Sequence, residues 1–245
     1  MIVNKTSNGY EIINHESHGL LAGHFAFMVS ENFVSKYFYE VAIATAVHDD
    51  RQLDFNEKQY LSKNGIPLDF TEAPRDINAI VKRMNRVIGE SNNKSSYIRL
   101  LISYHLEFLY SNLKNKSKKI NAFFDNEYII RPNILKVYQV TEETAKKDYD
   151  VLRFCDRLSL ILCKDEVPTA GRALEINNSI NGTTYFISRR KNGNVTVKPW
   201  VFNCSKFNVH LEVRKTENLK FDSIRRFENE FYNLEPNIQY WTFKK

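Results

Sequence analysis

Apolar residues recur at helical spacing from Glu16 to about Cys163, in blocks near 16–29, 34–47, 75–90, 95–113 and 142–163, separated by connections rich in Asn, Gly, Pro and Lys. The pattern predicts a helical domain over the first two-thirds of the chain. From Thr183 onward the spacing changes to alternation, in Thr184–Arg189, Asn194–Lys198, Phe207–Val213 and Gln239–Phe243, and predicts strands. Asn192-Gly193 lies between the first two and supplies the positive φ angles of a tight hairpin turn. A helix is expected around Asp222–Tyr232, before the last strand. The expected class is mainly α: a helical domain over residues 1–175 and a small C-terminal antiparallel sheet over 176–245 packed on it, α+β overall.

Composition narrows the class without naming a function. The 245 residues suit one large domain or a main domain with an appendage, and 42% hydrophobic with 26% charged residues excludes disordered and fibrous chains. The longest apolar runs, such as Val41–Val47, fall well short of the roughly 20 residues of a membrane-spanning helix. The start carries no apolar core of the signal-peptide kind, so a cytoplasmic protein is expected and the sequons at Asn4, Asn181 and Asn194 read as Asn-rich composition. Cys155, Cys163 and Cys204 lack the spacing of a thiolate metal site and read as reduced, packed thiols. With 35 basic against 29 acidic residues the net charge is +6, a modest bias toward phosphate-bearing ligands. Basic runs such as Lys114–Lys119 and Arg189–Lys191 are short and read as solvated surface rather than a nucleic-acid footprint.

Four polar positions stand on apolar helix faces. His18 shares a face with Leu21, Ala22, Phe25 and Val29, and His48 stacks over Val41, Ala44 and Thr45. His105 lies among Ile98, Leu101, Ile102, Phe108 and Leu109, and Asp156 lies between Leu152 and Leu160 with Ser159 beside it. A single core histidine is commonly a satisfied hydrogen-bond donor. An inward carboxylate is different, because an ionised group resists burial unless a cation or several donors compensate it. A shared metal accounts for His18, His48, Asp49, His105 and Asp156 together. Imidazole with carboxylate suits a divalent Fe, Mn, Ni, Co or Zn ion, one or two of them.

The order His18, His48-Asp49, then a distant Asp156 in a helical domain resembles the HD superfamily, most of whose members are metal-dependent phosphohydrolases. Over nearly the whole chain the sequence is also similar to a bacterial domain family of unknown function. The motifs that carry this likeness are His18-Gly-Leu-Leu-Ala-Gly23, His48-Asp49-Asp50, Ser103-Tyr-His105, Asp156-Arg-Leu-Ser-Leu160 and Pro199-Trp-Val-Phe202. The resemblance implies that His18, His48, Asp49 and Asp156 hold a metal. It leaves His105 as a second-metal ligand or a phosphate donor. Asp50 and Asp54 are the candidates for a general base, although the segment Asp50–Asp54 departs from the superfamily arrangement.

Such a site would activate a water against a small phosphate ester, with a nucleotide as one option. Arg153, three residues before Asp156, and Arg51 are the candidates for holding phosphate. His15 and His24 flank His18 but fall off the inward stripe and stay outside the ligand set; His210 reads as a surface residue of a strand. Pro199–Phe202 reads as a contact between sheet and helices or as a roof over the site. Two alternatives stand beside the phosphohydrolase: a weakly catalytic metal- or ligand-binding regulatory protein, and a di-iron oxygenase. The expected partner is a small phosphorylated substrate, with no membrane, and a homodimer is left open.

Overall fold

The computed structural model describes residues 1–74 and 76–245; Arg75, the first residue of the expected 75–90 helix, lies outside them. The helices are α1 (His15–Met28), α2 (Phe38–Val47), α3 (Ile77–Lys94), α4 (Ser96–Tyr110), α5 (Lys118–Tyr138), α6 (Glu142–Cys163) and α7 (Ile224–Asn233). The strands are β1 (Ile2–Lys5), β2 (Tyr10–Ile13), β3 (Leu174–Glu175), β4 (Phe186–Arg189), β5 (Val195–Lys198), β6 (Lys206–Thr216) and β7 (Pro236–Lys244).

The expected class, a mainly α protein with a small C-terminal antiparallel sheet, is corrected by the sheet itself. Helix makes up 48% of the chain and strand 18%, and all seven strands join one curled, half-barrel sheet in the order β1-β2-β6-β7-β5-β4-β3. The sheet is mixed, because β5 and β7 run parallel while the other pairs are antiparallel. Its N-terminal hairpin pairs residues some 200 positions apart, Tyr10 with Thr216 and Ile12 with Arg214. Strands of four residues carry little alternation of their own, so this long-range pairing is invisible to local pattern. The expected hairpin is present: β4 and β5 pair antiparallel, Gly193 at φ +85° turns the chain, and Arg190 N donates to Asn194 O at 2.8 Å.

Helix α1 packs against the sheet through β6 and against α2 and α6 on its other sides. Phe25 of α1 joins Phe202, Phe207 and Phe243 in an aromatic cluster, with ring centroids 6.1, 6.3 and 5.0 Å from its own. Phe202 is therefore a contact between sheet and helix. On the opposite side α1 meets α2 at backbone distance. A Cβ on Gly19 would lie 2.5 Å from Ala46 O, and one on Gly23 would lie 2.5 Å from Ala46 Cβ. The two glycines let the helices close up, and the rings of His18 and His48 come to 5.1 Å between centroids. Helix α6 begins at Thr141, whose hydroxyl accepts from Thr144 N at 3.1 Å, and runs 22 residues beneath α1, α2 and α4. A smaller apolar cluster of Tyr10, Ile12, Tyr60, Phe221, Phe227 and Phe231 joins α7 to the N-terminal hairpin. Among the described residues no helix is long and apolar enough to cross a membrane.

Candidate metal centre

Helices α1, α2, α4 and α6 each direct one side chain to a common point. His18, His48 and His105 are 0–1% exposed. Asp49 and Asp156 keep 17% and 15% of their side-chain surface and line a cavity of about 590 Å³. His18 Nε2 lies 3.1 Å from Asp156 Oδ1, and His48 Nε2 lies 3.3 Å from the same oxygen. Asp49 Oδ2 is 3.8 Å from His18 Nε2 and 3.9 Å from His48 Nε2.

Proton accounting shows what these contacts lack. His48 Nδ1 lies 2.6 Å from Thr45 O, and a carbonyl only accepts, so Nδ1 carries a proton. Ser159 Oγ donates to Asp156 O at 2.8 Å and lies 2.8 Å from His18 Nδ1. That hydroxyl has one hydrogen for the two contacts; when it goes to Asp156 O, His18 Nδ1 is the donor to Ser159. In the neutral imidazoles both Nε2 atoms are then lone pairs facing carboxylate oxygens. Acceptor against acceptor is repulsive, and a proton or a cation must sit between them. Burial drives His48 down, but Asp156 and Asp49 outweigh it and lift its pKa to about 9. Burial drives Asp156 and Asp49 up, and the surrounding His48, His18, His15 and Arg83 groups hold both below the usual carboxylate range. Without a metal, a proton on His48 Nε2 does part of the work of a cation.

The donor set fits a metal. Two ligands of one ion at about 2.1 Å lie about 3.0–3.4 Å apart, so the Asp156 contacts have that spacing and the Asp49 contacts exceed it by about half an ångström. The ligand atoms of His18, His48 and Asp49 fall within 4.8 Å of one another, as do those of His48, His105 and Asp156. These His/Asp groups could hold a metal ion. The second coordination partners are also in place: Thr45 O fixes the His48 tautomer, and Ser159 Oγ holds His18 Nδ1.

Of the remaining expected site residues, His105 joins the cluster and Asp50, Asp54, Arg51 and Arg153 lie elsewhere. The His105 ring is 5.0 Å from that of His48, its Nδ1 has no partner, and burial, then His48, pushes its pKa down to about 3. Asp50 and Asp54, the expected general bases, do not line the metal cavity. Asp50 packs near Glu16 and Glu90, and burial together with those carboxylates raises it to about 6; Asp54 is exposed on a neighbouring cavity. The expected phosphate holders also turn away. Arg51 sits at φ +59° and pairs with Glu90, while Arg153 donates to Asn178 Oδ1 at 2.7 Å and stacks 4.3 Å over Phe108. The cations that do face the cavity are Arg83 and Lys58.

Two members of the centre have no foreshadowing in the sequence reading. Arg83 of α3 donates from Nη2 to Asp49 Oδ1 at 2.8 Å and to His48 O at 3.2 Å. His15, placed outside the ligand set by its position before the stripe, donates from Nδ1 to Asp49 Oδ2 at 3.0 Å. An arginine in the apolar stripe of α3, between Ile80 and Val87 and beside Met84, and a histidine at the i−3 position from His18 are the signals that could have found them. His24 and His210 lie apart from the cluster, their rings 6.3 Å from each other on α1 and β6.

The profile of the family described as "Protein of unknown function (DUF3891)" matches residues 1–218, a stretch that holds every residue of this centre. No curated protein and no solved structure matches the chain.

Proposed function

We propose that this chain, which belongs to the DUF3891 family, is a metal-dependent phosphohydrolase acting on a small phosphate ester. The observation that carries the reading is the convergence of the Nε2 atoms of His18 and His48 on Asp156 Oδ1, at 3.1 and 3.3 Å, with Asp49 Oδ2 at 3.8 and 3.9 Å from them, at a cavity of about 590 Å³. The order of these residues along the chain, which resembles that of the HD superfamily, supports the same reading. His18, His48, Asp49 and Asp156 would hold the ion, and two nitrogens with two carboxylates suit Fe, Mn, Co, Ni or Zn. When bound, a divalent ion lowers the pKa of a water and polarises a phosphoryl oxygen.

The rest of the chemistry falls to the chain. Because Thr45 O holds His48 Nδ1, the two ligand groups share a single nitrogen, which supports one ion through His48 rather than two. Arg83 and His15 clamp the two oxygens of Asp49 and fix its orientation. Lys58, half-buried on the cavity wall and without an ion pair among the described residues, is positioned to hold phosphate charge, in place of Arg153 and Arg51. Phe70, Ile80, Leu109 and Leu160 line the remainder of the cavity and limit water around the ester.

The test is elemental analysis of untagged protein purified without chelator, beside His48→Ala and Asp49→Ala. Wild type is expected to carry about one transition-metal ion per chain and to hydrolyse members of a phosphate monoester and diester panel. Both variants should lose metal and turnover with helical content retained. Full metal occupancy in the variants, or a metal-loaded wild type inert toward the whole panel, overturns the reading.

A further inference from the structure

A second cavity, of about 230 Å³, adjoins the first and shares His15, Gln52 and Leu53 with it. Its lining differs in charge. The first cavity carries the cations Arg83 and Lys58 beside its carboxylates Asp49, Glu57, Asp76 and Asp156, whereas the second has no Lys or Arg in its lining and presents the carboxylates of Glu16 and Asp54, both exposed and neither in an ion pair among the described residues. It is also lined by aromatic rings: Phe55 lies 4.9 Å from Tyr60, 5.9 Å from Phe231 and 5.9 Å from Tyr232, centroid to centroid. Two of these rings already carry a cation on one face, Lys58 Nζ at 5.6 Å over Tyr60 and Arg214 at 5.1 Å over Phe231. Phe55 and Tyr232 carry none among the described residues.

One buried atom on the shared wall asks for a donor. His15 is 5% exposed, and its Nδ1–H is committed to Asp49, so Nε2 is an acceptor, and it has no partner. A buried acceptor left unpaired is destabilising, and a ligand N–H removes that penalty. A lone pair, two carboxylates and electron-rich ring faces together recognise a protonated amine.

We infer that the second cavity binds the ammonium group of a short zwitterionic ligand. Taken with the phosphate-ester reading of the first cavity, on which this step rests, the substrate class is the phosphate ester of a small amino alcohol. The charges of the two cavities set the direction: phosphate toward Arg83 and Lys58, ammonium toward Glu16, Asp54, Phe55 and Tyr232. A ligand anionic at both ends meets repulsion at Glu16 and Asp54. A neutral chain leaves His15 Nε2 unpaired.

The test compares two non-hydrolysable probes that differ only at the far end, 3-aminopropylphosphonate and butylphosphonate, by titration calorimetry on the protein as purified. The amine is expected to bind about tenfold more tightly, and in the Glu16→Gln/Asp54→Asn variant the ratio of the two dissociation constants should fall toward one. Equal affinities in the wild type, or a ratio unmoved in the variant, overturn the assignment. Failure here is separable from failure of the phosphohydrolase reading. An amine preference in a protein inert toward every ester leaves the ammonium subsite standing and removes the hydrolase. Ester hydrolysis with no amine preference does the reverse.

Discussion

Helix α6 buries two carboxylates, Asp148 and Asp156, and the chain surrounds them in opposite ways. Asp148 Oδ1 accepts from Ser35 N at 2.8 Å, and Oδ2 accepts from Ser35 Oγ and Tyr97 OH, each at 2.6 Å. Every neighbour is a neutral donor, and the charge is spread over hydrogen bonds that tie α6 to α4 and to the segment before α2. Asp156 has no such set. Its Oδ1 faces the Nε2 atoms of two imidazoles whose Nδ1 atoms are held by Thr45 O and Ser159 Oγ. A buried carboxylate is thus not in itself a sign of chemistry. The sign is a carboxylate whose neighbours are acceptors, because only a cation completes that arrangement.

The largest expected effect separates the two by substitution. Asp156→Ala should abolish stoichiometric metal binding and also weaken the metal-free fold, since His48 loses the carboxylate that raises its pKa. Asp148→Ala should leave metal per folded chain unchanged but destabilise the fold by about 2–4 kcal/mol, because Ser35 and Tyr97 lose their acceptor. Urea unfolding with elemental analysis reads both. If Asp148→Ala lost the metal as completely as Asp156→Ala, the contrast between them would be gone.

The same contrast explains what was legible before the fold was known. His18, His48 and Asp156 could be read because each interrupts a stripe of apolar residues on a helix whose inner face is otherwise plain, and α1, α2, α3, α4 and α6 are all near where periodicity puts them. Helix α5 was not legible: its buried face includes Glu127 and Arg131 among Ile120, Phe123, Phe124 and Ile134, and Pro132 sits inside it. Arg99 and Glu107 neutralise those charges from α4, a pairing that only tertiary structure reveals. The partners of the centre hide for a related reason. Arg153 is close to Asp156 in sequence, yet its guanidinium stacks on Phe108, while Arg83 reaches Asp49 from a helix that packing alone brings there. Asp148 shows the opposite limit: from sequence it is one more acidic residue near the start of α6, and its three donors come from distant segments.

A pH experiment sharpens the comparison next. His48, with a pKa raised from 6.5 to about 9, contributes stability that is fully present below 6.5 and is lost as pH rises through about 9. Asp49 and Asp156, both lowered from 3.8, contribute stability present above 3.8 and lost as pH falls through their depressed values. Buried His15 and His105, lowered from 6.5 to about 3, add stability that is lost as pH falls below 6.5, so the metal-free protein should be most stable near pH 6.5 and weaken on both the acid and the alkaline side. With the ion bound, the alkaline weakening should shrink, because His48 has no proton left to lose, and metal uptake near pH 7.5 should release about one proton. Calorimetry in two buffers of different ionisation enthalpy counts that proton. A metal-loaded protein with the same alkaline slope as the metal-free one would place the ion away from His48.

Ser159→Ala is the mildest perturbation of the contrast, since it touches neither carboxylate. Ser159 Oγ lies 2.8 Å from His18 Nδ1 and can accept its proton, which leaves Nε2 for the ion; with the hydroxyl gone His18 is free to carry that proton on Nε2 and donate it to Asp156. The imidazole then meets Asp156 as Tyr97 meets Asp148, donor to acceptor, and the need for a cation at that contact falls. Metal affinity is expected to drop about 10–100-fold, in the range found when an outer partner of a ligating histidine is lost, with stoichiometry kept at saturating metal. Ser159→Thr, which keeps the hydroxyl, should recover much of the affinity if the added methyl group is accommodated beside the 0% exposed serine. An affinity unchanged in Ser159→Ala would mean that the His18 tautomer is set by something other than Ser159, and the proton accounting of the centre would have to begin again from His48.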